Sequence, residues 1–235
     1  IEAENGLEGI QLAKEHIPDL IISDIMMPGT DGYELCKTLK NDIETSHIPI
    51  ILLTAKASED SQMEGLKIGA DDYITKPFNS RILLSKIKNL IEIRRQLQEK
   101  IQIQKTLLPP EIQVKSLDRK FMEEVHDIIL ANLSDPDFDI DILTRKLLMG
   151  RSSVFRKIKA ITGETPNDYI RTFRLHRAEQ LFRQSSGNVT EVAMDVGFSS
   201  SSYFSTCFTK LFGITPKDFI HEIASGNTEI ILEKQ

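Results

Sequence analysis

Residues 20–32 read LIISDIMMPGTDG. Leu20, Ile21 and Ile22 run through Ser23 into an acid, Asp24, and the chain then turns through Met26, Met27, Pro28 and Gly29. A short apolar run bounded by turn residues reads as a strand buried on both faces, so the acid at its end needs an explanation. Two more stretches read the same way, IPIILLTA at 48–55 and DDYITKPF at 71–78. Between them lie amphipathic segments: Gly32 to Lys40, with Tyr33, Leu35, Cys36 and Leu39 at helical spacing, and Asp60 to Ile68, with Met63 and Leu66. Alternating strands and helices imply right-handed crossovers and a parallel sheet covered by helices. In such a sheet ligands and chemistry gather at the carboxyl ends of the strands. Asp24, Thr54 and Lys76 each close a predicted strand and therefore meet on one rim. Taken singly, each is equally a turn former or a helix cap. Taken together they suit a carboxylate that accepts a phosphoryl group, which needs a nearby cation, a hydroxyl donor and usually a metal.

At 235 residues the chain holds two domains of ordinary size. With 40% hydrophobic and 27% charged residues it belongs with soluble globular proteins, not disordered or fibrous ones. No run approaches the length of a membrane span, and IEAENGLEGI lacks the basic and apolar regions of a signal peptide, so a cytoplasmic location without membrane contact is expected. Cys36 and Cys207 stand far apart in predicted helices and read as packing residues, not a disulfide framework or metal site. The net charge of −6 disguises two opposed segments. Asp118 to Asp141 holds eight acids and two bases, whereas Ile142 to Arg183 holds ten bases and three acids. The basic segment is a candidate partner for a phosphate backbone.

The second half repeats itself at an offset of fifty: GETPNDYI at 163–170 matches GITPKDFI at 213–220. Each copy follows an amphipathic segment opened by serines, which are good helix N-caps. Each of these has a shorter helix ahead of it, DIDILTRKLLM and TEVAMDVGF. The pattern is helix, turn, helix, given twice, with a long helix from Pro166 to Arg183 between the copies. On the helix near 151–162, Val154, Phe155, Ile158, Ile161 and Thr162 form an apolar side, with Ser152, Ser153, Arg156 and Ala160 opposite and Lys157 and Lys159 flanking. An arginine among small residues suits entry into a major groove. In the second copy Phe204, Phe208, Leu211 and Phe212 read as core, and Ser202, Thr206 and Lys210 as the outer face, which is less basic and should add less affinity. The expected DNA contacts are Arg151, Ser152, Ser153, Arg156, Lys157 and Lys159 in the first copy and Ser200, Ser202, Thr206 and Lys210 in the second. On periodicity alone a helical interaction module with a solvated face fits as well.

Between the halves, Leu83, Ile87, Leu90, Leu97 and Ile101 form a stripe on a helix expected to reach about Lys105, ahead of Pro109 and Pro110. Its part beyond Ile91 reads as a short coiled coil pairing two protomers, hence a homodimer.

SDIMMPGTDGYELCKTLK, PIILLTA and GADDYITKPF resemble, in order and spacing, the receiver domains of bacterial two-component signalling. The resemblance implies a flavodoxin-like α/β fold, with Asp24 as phosphate acceptor, Thr54 as switch hydroxyl, Tyr73 as the aromatic that changes rotamer and Lys76 as the lysine paired with phosphate. It also implies a cis bond between Lys76 and Pro77. Receivers begin with a central strand ending in an acidic pair that binds Mg²⁺. IEAENG instead looks like the family's second strand. The sequence is thus expected to be a fragment lacking the first strand and helix, with an open edge on the strand ending at Asp24. Of the metal ligands only Asp24 and the Met26 carbonyl remain, so Mg²⁺ belongs to an intact receiver, and phosphorylation of this chain should be poor.

SSVFRKIKAITGETPNDYIRTFRLHRAEQLF and VTEVAMDVGFSSSSYFSTCFTKLFGITPKDF are similar to the AraC family of transcription regulators in both repeats. The expected organisation is a receiver over 1–92, a helical linker over 93–117, an all-α double helix-turn-helix domain over 118–222 and a tail over 223–235. This resembles the carboxyl end of hybrid two-component proteins. It implies a DNA-binding transcription regulator controlled by phosphorylation of Asp24, with double-stranded DNA and a histidine kinase, in the same polypeptide, as partners. The alternative is a phosphorylation-independent module with a degenerate receiver. A phosphohydrolase of the haloacid dehalogenase type would need an acid two residues after Asp24, where Met26 stands, so the chain reads as a regulator and not an enzyme.

Overall fold

The computed structural model describes residues 1–55, 68–104, 116–184 and 187–225. The predicted helix up to residue 67, the linker prolines Pro109 and Pro110, and the tail beyond residue 225 lie outside the described residues. So does the side chain of Ile101.

The elements in chain order are α1 (Gly6–His16), β1 (Ile21–Asp24), α2 (Gly32–Asn41), β2 (Ile50–Thr54), β3 (Asp72–Thr75), α3 (Ser80–Gln104), α4 (Ser116–Ala131), α5 (Ile140–Leu147), α6 (Arg151–Thr162), α7 (Pro166–Arg183), α8 (Val189–Asp195), α9 (Ser201–Phe212) and α10 (Pro216–Ala224). They pack as two units. Among the described residues the first comprises Ile1–Lys100, α4 as far as Met122, and Ser152–Gly163, which contains nearly all of α6. The second comprises Glu123–Arg151 and the residues from Glu164 onward.

In the first unit a parallel sheet has the order β1-β2-β3, with Asp24 opposite Leu53 and Thr54 opposite Thr75. Ile50, Ile51 and Leu52 of the central strand are fully buried, so both its faces are covered. Ile50 and Leu52 pack with Ala13 of α1 and with Leu35, Cys36 and Leu39 of α2. The edge strand β1 departs from the expectation of burial on both faces, because Ile22 is 41% exposed. Among the described residues β1 pairs only with β2, so its other edge has no partner strand among them. IEAENG is not a strand. Residues 1–5 form an irregular lead-in, and the Asn5 side chain caps α1 by accepting from the Glu8 amide at 3.0 Å. A short polar residue there stabilises the helix start in preference to an extended pairing.

The second unit is helical, and its helices start where the sequence supplies caps. Thr165 caps α7 and Thr215 caps α10, each followed by proline at the first helical position. In both caps the threonine hydroxyl also donates to the aspartate three residues on, Asp168 and Asp218, at 2.6 Å. Asn188 and Glu191 close a capping box on α8. Phe182, Phe198, Phe204, Phe208, Phe212 and Phe219 form an aromatic core under α7 to α10, with edge-to-face pairs such as Phe182 and Phe208 at 5.8 Å. The turn between α8 and α9 is fixed by Arg174 of α7, which donates to the carbonyls of Gly197 at 3.0 Å and Asp135 at 2.5 Å. No described helix is long and apolar enough to cross a membrane.

Candidate phosphoacceptor rim and nucleic-acid faces

Three consecutive parallel strands deliver Asp24, Thr54 and Lys76 to the same end of the sheet, as the alternation of elements required. Asp24 closes β1, Thr54 closes β2, and Lys76 follows β3 with its amide donating to the Thr54 carbonyl at 2.7 Å. The Lys76 ammonium is ion-paired to the Asp24 carboxylate, whose other oxygen accepts from the Met26 amide at 3.2 Å. At 32% side-chain exposure Asp24 is reachable from solvent. The loop after it is held close by Gly32, where a Cβ would meet the Asp24 carbonyl oxygen at 2.2 Å. Only glycine permits that approach. The peptide bond between Lys76 and Pro77 is cis, as expected.

Thr54 is buried. Tyr73 lies on β3 beside Leu52, and its buried hydroxyl has no hydrogen-bond partner among the described residues. Burial, the largest influence, pushes the phenol pKa up, so the group is neutral. An unsatisfied buried hydroxyl is a cost of about 1–3 kcal/mol that a turn toward a polar partner would recover.

Magnesium takes oxygen ligands in near-octahedral geometry. The rim offers one carboxylate, with the Met26 carbonyl beside it, and among the described residues no cluster of three metal-binding side chains occurs. These residues do not make a divalent-cation site by themselves. Along the open edge of β1 runs a groove of about 730 Å³, lined by Asn5, Leu12 and Ala13 on one side and Ile22, Asp24 and Leu35 on the other.

The nucleic-acid candidates divide between the units. In the second, Ser202, Thr206 and Lys210 are all exposed on α9, as expected, and Ser200 caps its start. Thr206 and Thr209 donate back to the Ser202 and Ser205 carbonyls at 3.1 and 2.8 Å, so their oxygens face outward as acceptors. A shallow cleft of about 660 Å³ beside this face is also lined by Ser205 and Lys217, which the sequence reading passed over. Comparing the two copies would have found Lys217, because Asn167 occupies the equivalent position in the first.

Arg151 pairs with Asp141 at 2.8 Å. On α6, Ser152 and Lys159 are exposed, and Ser153 and Arg156 are half-buried. Two side chains exchange their expected places. Lys157, expected to flank the reading face, is fully buried and ion-paired with Asp118 at 2.5 Å, whereas Phe155, expected in the core, is 38% exposed. At about 100° per residue, Lys157 lies about 70° from the centre of the stripe formed by Val154, Ile158 and Ile161, and Phe155 about 90°. The lysine was therefore nearer the core, and Asp118 and the Phe121 ring, 5.1 Å from its nitrogen, make the burial tolerable.

Residues 1–88 match the response regulator receiver domain and residues 143–222 the helix-turn-helix domain of AraC type. The chain is a response regulator receiver joined to an AraC-type DNA-binding domain. The receiver match ends within α3, and the AraC-type match begins within α5 and takes in both repeats. "Histidine kinase P4" of Formosa agariphila is 42% identical over 219 residues, covering 93% of this chain and 16% of that protein. "Phosphate regulon transcriptional regulatory protein PhoB" of Pseudomonas aeruginosa is 50% identical over 91 residues of the receiver, covering 39% of this chain and 40% of that protein. The C-terminal domain of the two-component response regulator yesN from Fusobacterium nucleatum shares 29% identity with a TM-score of 0.40, covering 43% of this chain and 98% of that domain. The chain thus spans well under half the length of both curated relatives.

Proposed function

We propose that this chain is the DNA-binding, transcription-regulating part of a two-component phosphorelay, switched by phosphorylation of Asp24. The observation that carries the reading is the solvent-reachable Asp24 carboxylate, ion-paired to Lys76 at the carboxyl rim of a parallel sheet, in a chain that also carries a duplicated helix-turn-helix. A carboxylate oxygen of Asp24 attacks the phosphorus of a kinase phosphohistidine, the P–N bond breaks, and Lys76 compensates the added charge. Thr54 then donates to the phosphoryl oxygens, and Tyr73 turns its unsatisfied hydroxyl out of the core. The kinase is expected in the same polypeptide, since a histidine kinase contains a region similar to nearly this whole chain. The groove along β1 is suited to an extended strand whose carboxyl end brings further acids to Asp24, and Mg²⁺ binding belongs to that completed rim. Pairing of protomers is supported by α3, which exposes Ile82, Leu84, Ile91 and Ile93. Of the part expected to pair, beyond Ile91, Leu97 is half-buried, while Leu83, Ile87 and Leu90 are half-buried in the part expected to pack on the sheet. Paired protomers raise the effective concentration of each reading head on a repeated site.

Acetyl phosphate with Mg²⁺ is expected to add one phosphoryl group, read by intact-protein mass spectrometry, to a receiver carrying the completing strand. Asp24→Asn should abolish the addition. Equal labelling of both proteins rejects Asp24 as acceptor. The single carboxylate at the rim favours a second reading, a DNA-binding module with a degenerate receiver. No labelling together with full DNA affinity would select it.

A further inference from the structure

Lys157 is a cation without solvent exposure, on the helix that carries Arg156. Its ammonium donates to the Ser46 hydroxyl at 3.0 Å and to Asp118 at 2.5 Å, and Ser46 donates to the same Asp118 oxygen at 2.8 Å. Ser46 is 1% exposed and Asp118 6%, so the three groups form a closed polar cluster. Two further contacts hold the same helix within the first unit. Arg156 donates to the Glu15 carbonyl at 3.0 Å, and the Gln98 amide donates to the Ala160 carbonyl at 2.7 Å. The anchors come from the end of α1, the loop before β2, α3 and the start of α4. An ammonium enclosed in this way has no route to a DNA phosphate, and an arginine engaged by a backbone carbonyl is withdrawn from base edges.

We propose that the cluster of Ser46, Asp118 and Lys157 is a latch that withholds α6 from DNA, and that Ser46 is the part of it that governs release. The proposal rests on the reading of α6 as a DNA-contacting helix and adds its regulation. Ser46 is the member that satisfies both charged partners with a single hydroxyl. Removing it leaves the pair buried with one hydrogen bond fewer on each side, which disfavours the latched state. A lysine at position 46 adds a second buried cation beside the first and disfavours it further.

The test is fluorescence anisotropy with duplexes enriched by the wild-type chain from a random-sequence pool at low salt, without phosphorylation. Ser46→Ala is expected to tighten binding about five- to tenfold. Ser46→Lys should tighten it by more than about tenfold, up to the affinity of the fully released helix. Thermal melting checks that each variant is folded. Gln98→Ala, which removes a different anchor of α6, supplies the tightening expected if Ser46→Lys does not fold. Unchanged or weaker binding by folded Ser46→Ala and Gln98→Ala overturns the latch while leaving the DNA-binding function in place. If neither the wild type nor any variant retains a duplex from the pool, the DNA-binding reading itself falls, and the latch with it.

Discussion

Replacing Gly197 with alanine strains the second helix-turn-helix at its turn. Gly197 has φ +81, and a Cβ there would stand 2.3 Å from the Leu133 carbonyl oxygen and 2.8 Å from the Arg174 guanidinium carbon. The left-handed conformation costs an alanine about 1–2 kcal/mol. The guanidinium can give way only by weakening its bonds to the Gly197 and Asp135 carbonyls, and a charged donor lost to a buried carbonyl costs about 1.5–3 kcal/mol. If one of the two bonds is lost, the total is about 2.5–5 kcal/mol, a large part of the stability of an ordinary domain. A chain with two units need not unfold in one step, so the suitable assay is hydrogen exchange of the α8 and α9 amides, which reports local opening. Protection there should fall by about seventyfold or more. Repeating the substitution in an Arg174→Met background separates the causes, because the part carried by the guanidinium should vanish. An equal cost in both backgrounds would refute the role given to Arg174.

Three other outcomes follow from the same geometry. With α6 released by Ser46→Lys, Arg156→Ala should cost about 1–3 kcal/mol on the preferred DNA sequence and relax selectivity at one base pair, whereas Lys159→Ala should weaken all sequences alike and reduce the salt slope by about one; binding to single-base variants at several salt concentrations distinguishes them. Asp118→Asn leaves Lys157 as a buried cation without its counter-charge and should destabilise the first unit by about 3–5 kcal/mol in denaturant melts. His126 stacks on Tyr169 and lies tilted against Phe173, and burial, the largest influence, lowers its pKa below the ordinary value of 6.5. The unfolded chain therefore takes up the proton first, so this contribution to stability is complete above about pH 6.5 and is lost as pH falls toward the folded value. His126→Gln should flatten the dependence of stability on pH between about 7 and 5; an unaltered slope would clear His126.

Much of this architecture could be read directly from the residues. The apolar runs ending at Asp24, Thr54 and Lys76 marked three strand ends, because a buried strand must end in turn residues and parallel strands share a rim. The boundaries of α7 were legible because Thr165 and Pro166 are strong start signals and the repeat fixed its neighbours. The exchange of Lys157 and Phe155 was not legible. Helical periodicity ranks positions by angle, and both lie on the shoulders of the stripe, where the partner decides which is buried. That partner, Asp118, is 39 residues away, beyond any local pattern. IEAENG misled because its place in the receiver pattern pointed to a strand, while the cap formed by Asn5 acts over only three residues. Lys217 was missed because attention to the outer face of α9 did not extend to the first turn of the helix after it.

The matching caps of α7 and α10 bear on engineering. Fifty residues apart, threonine, proline and aspartate recur with the same 2.6 Å contact, while the outward positions between them have drifted, Arg156 against Thr206 and Ala160 against Lys210. The joints of the two repeats are thus alike while the outward residues ahead of them differ. Residues exchanged between equivalent outward positions would meet a helix followed by the same capped joint, so the outward face of one repeat can be altered without redesigning the turn that follows it.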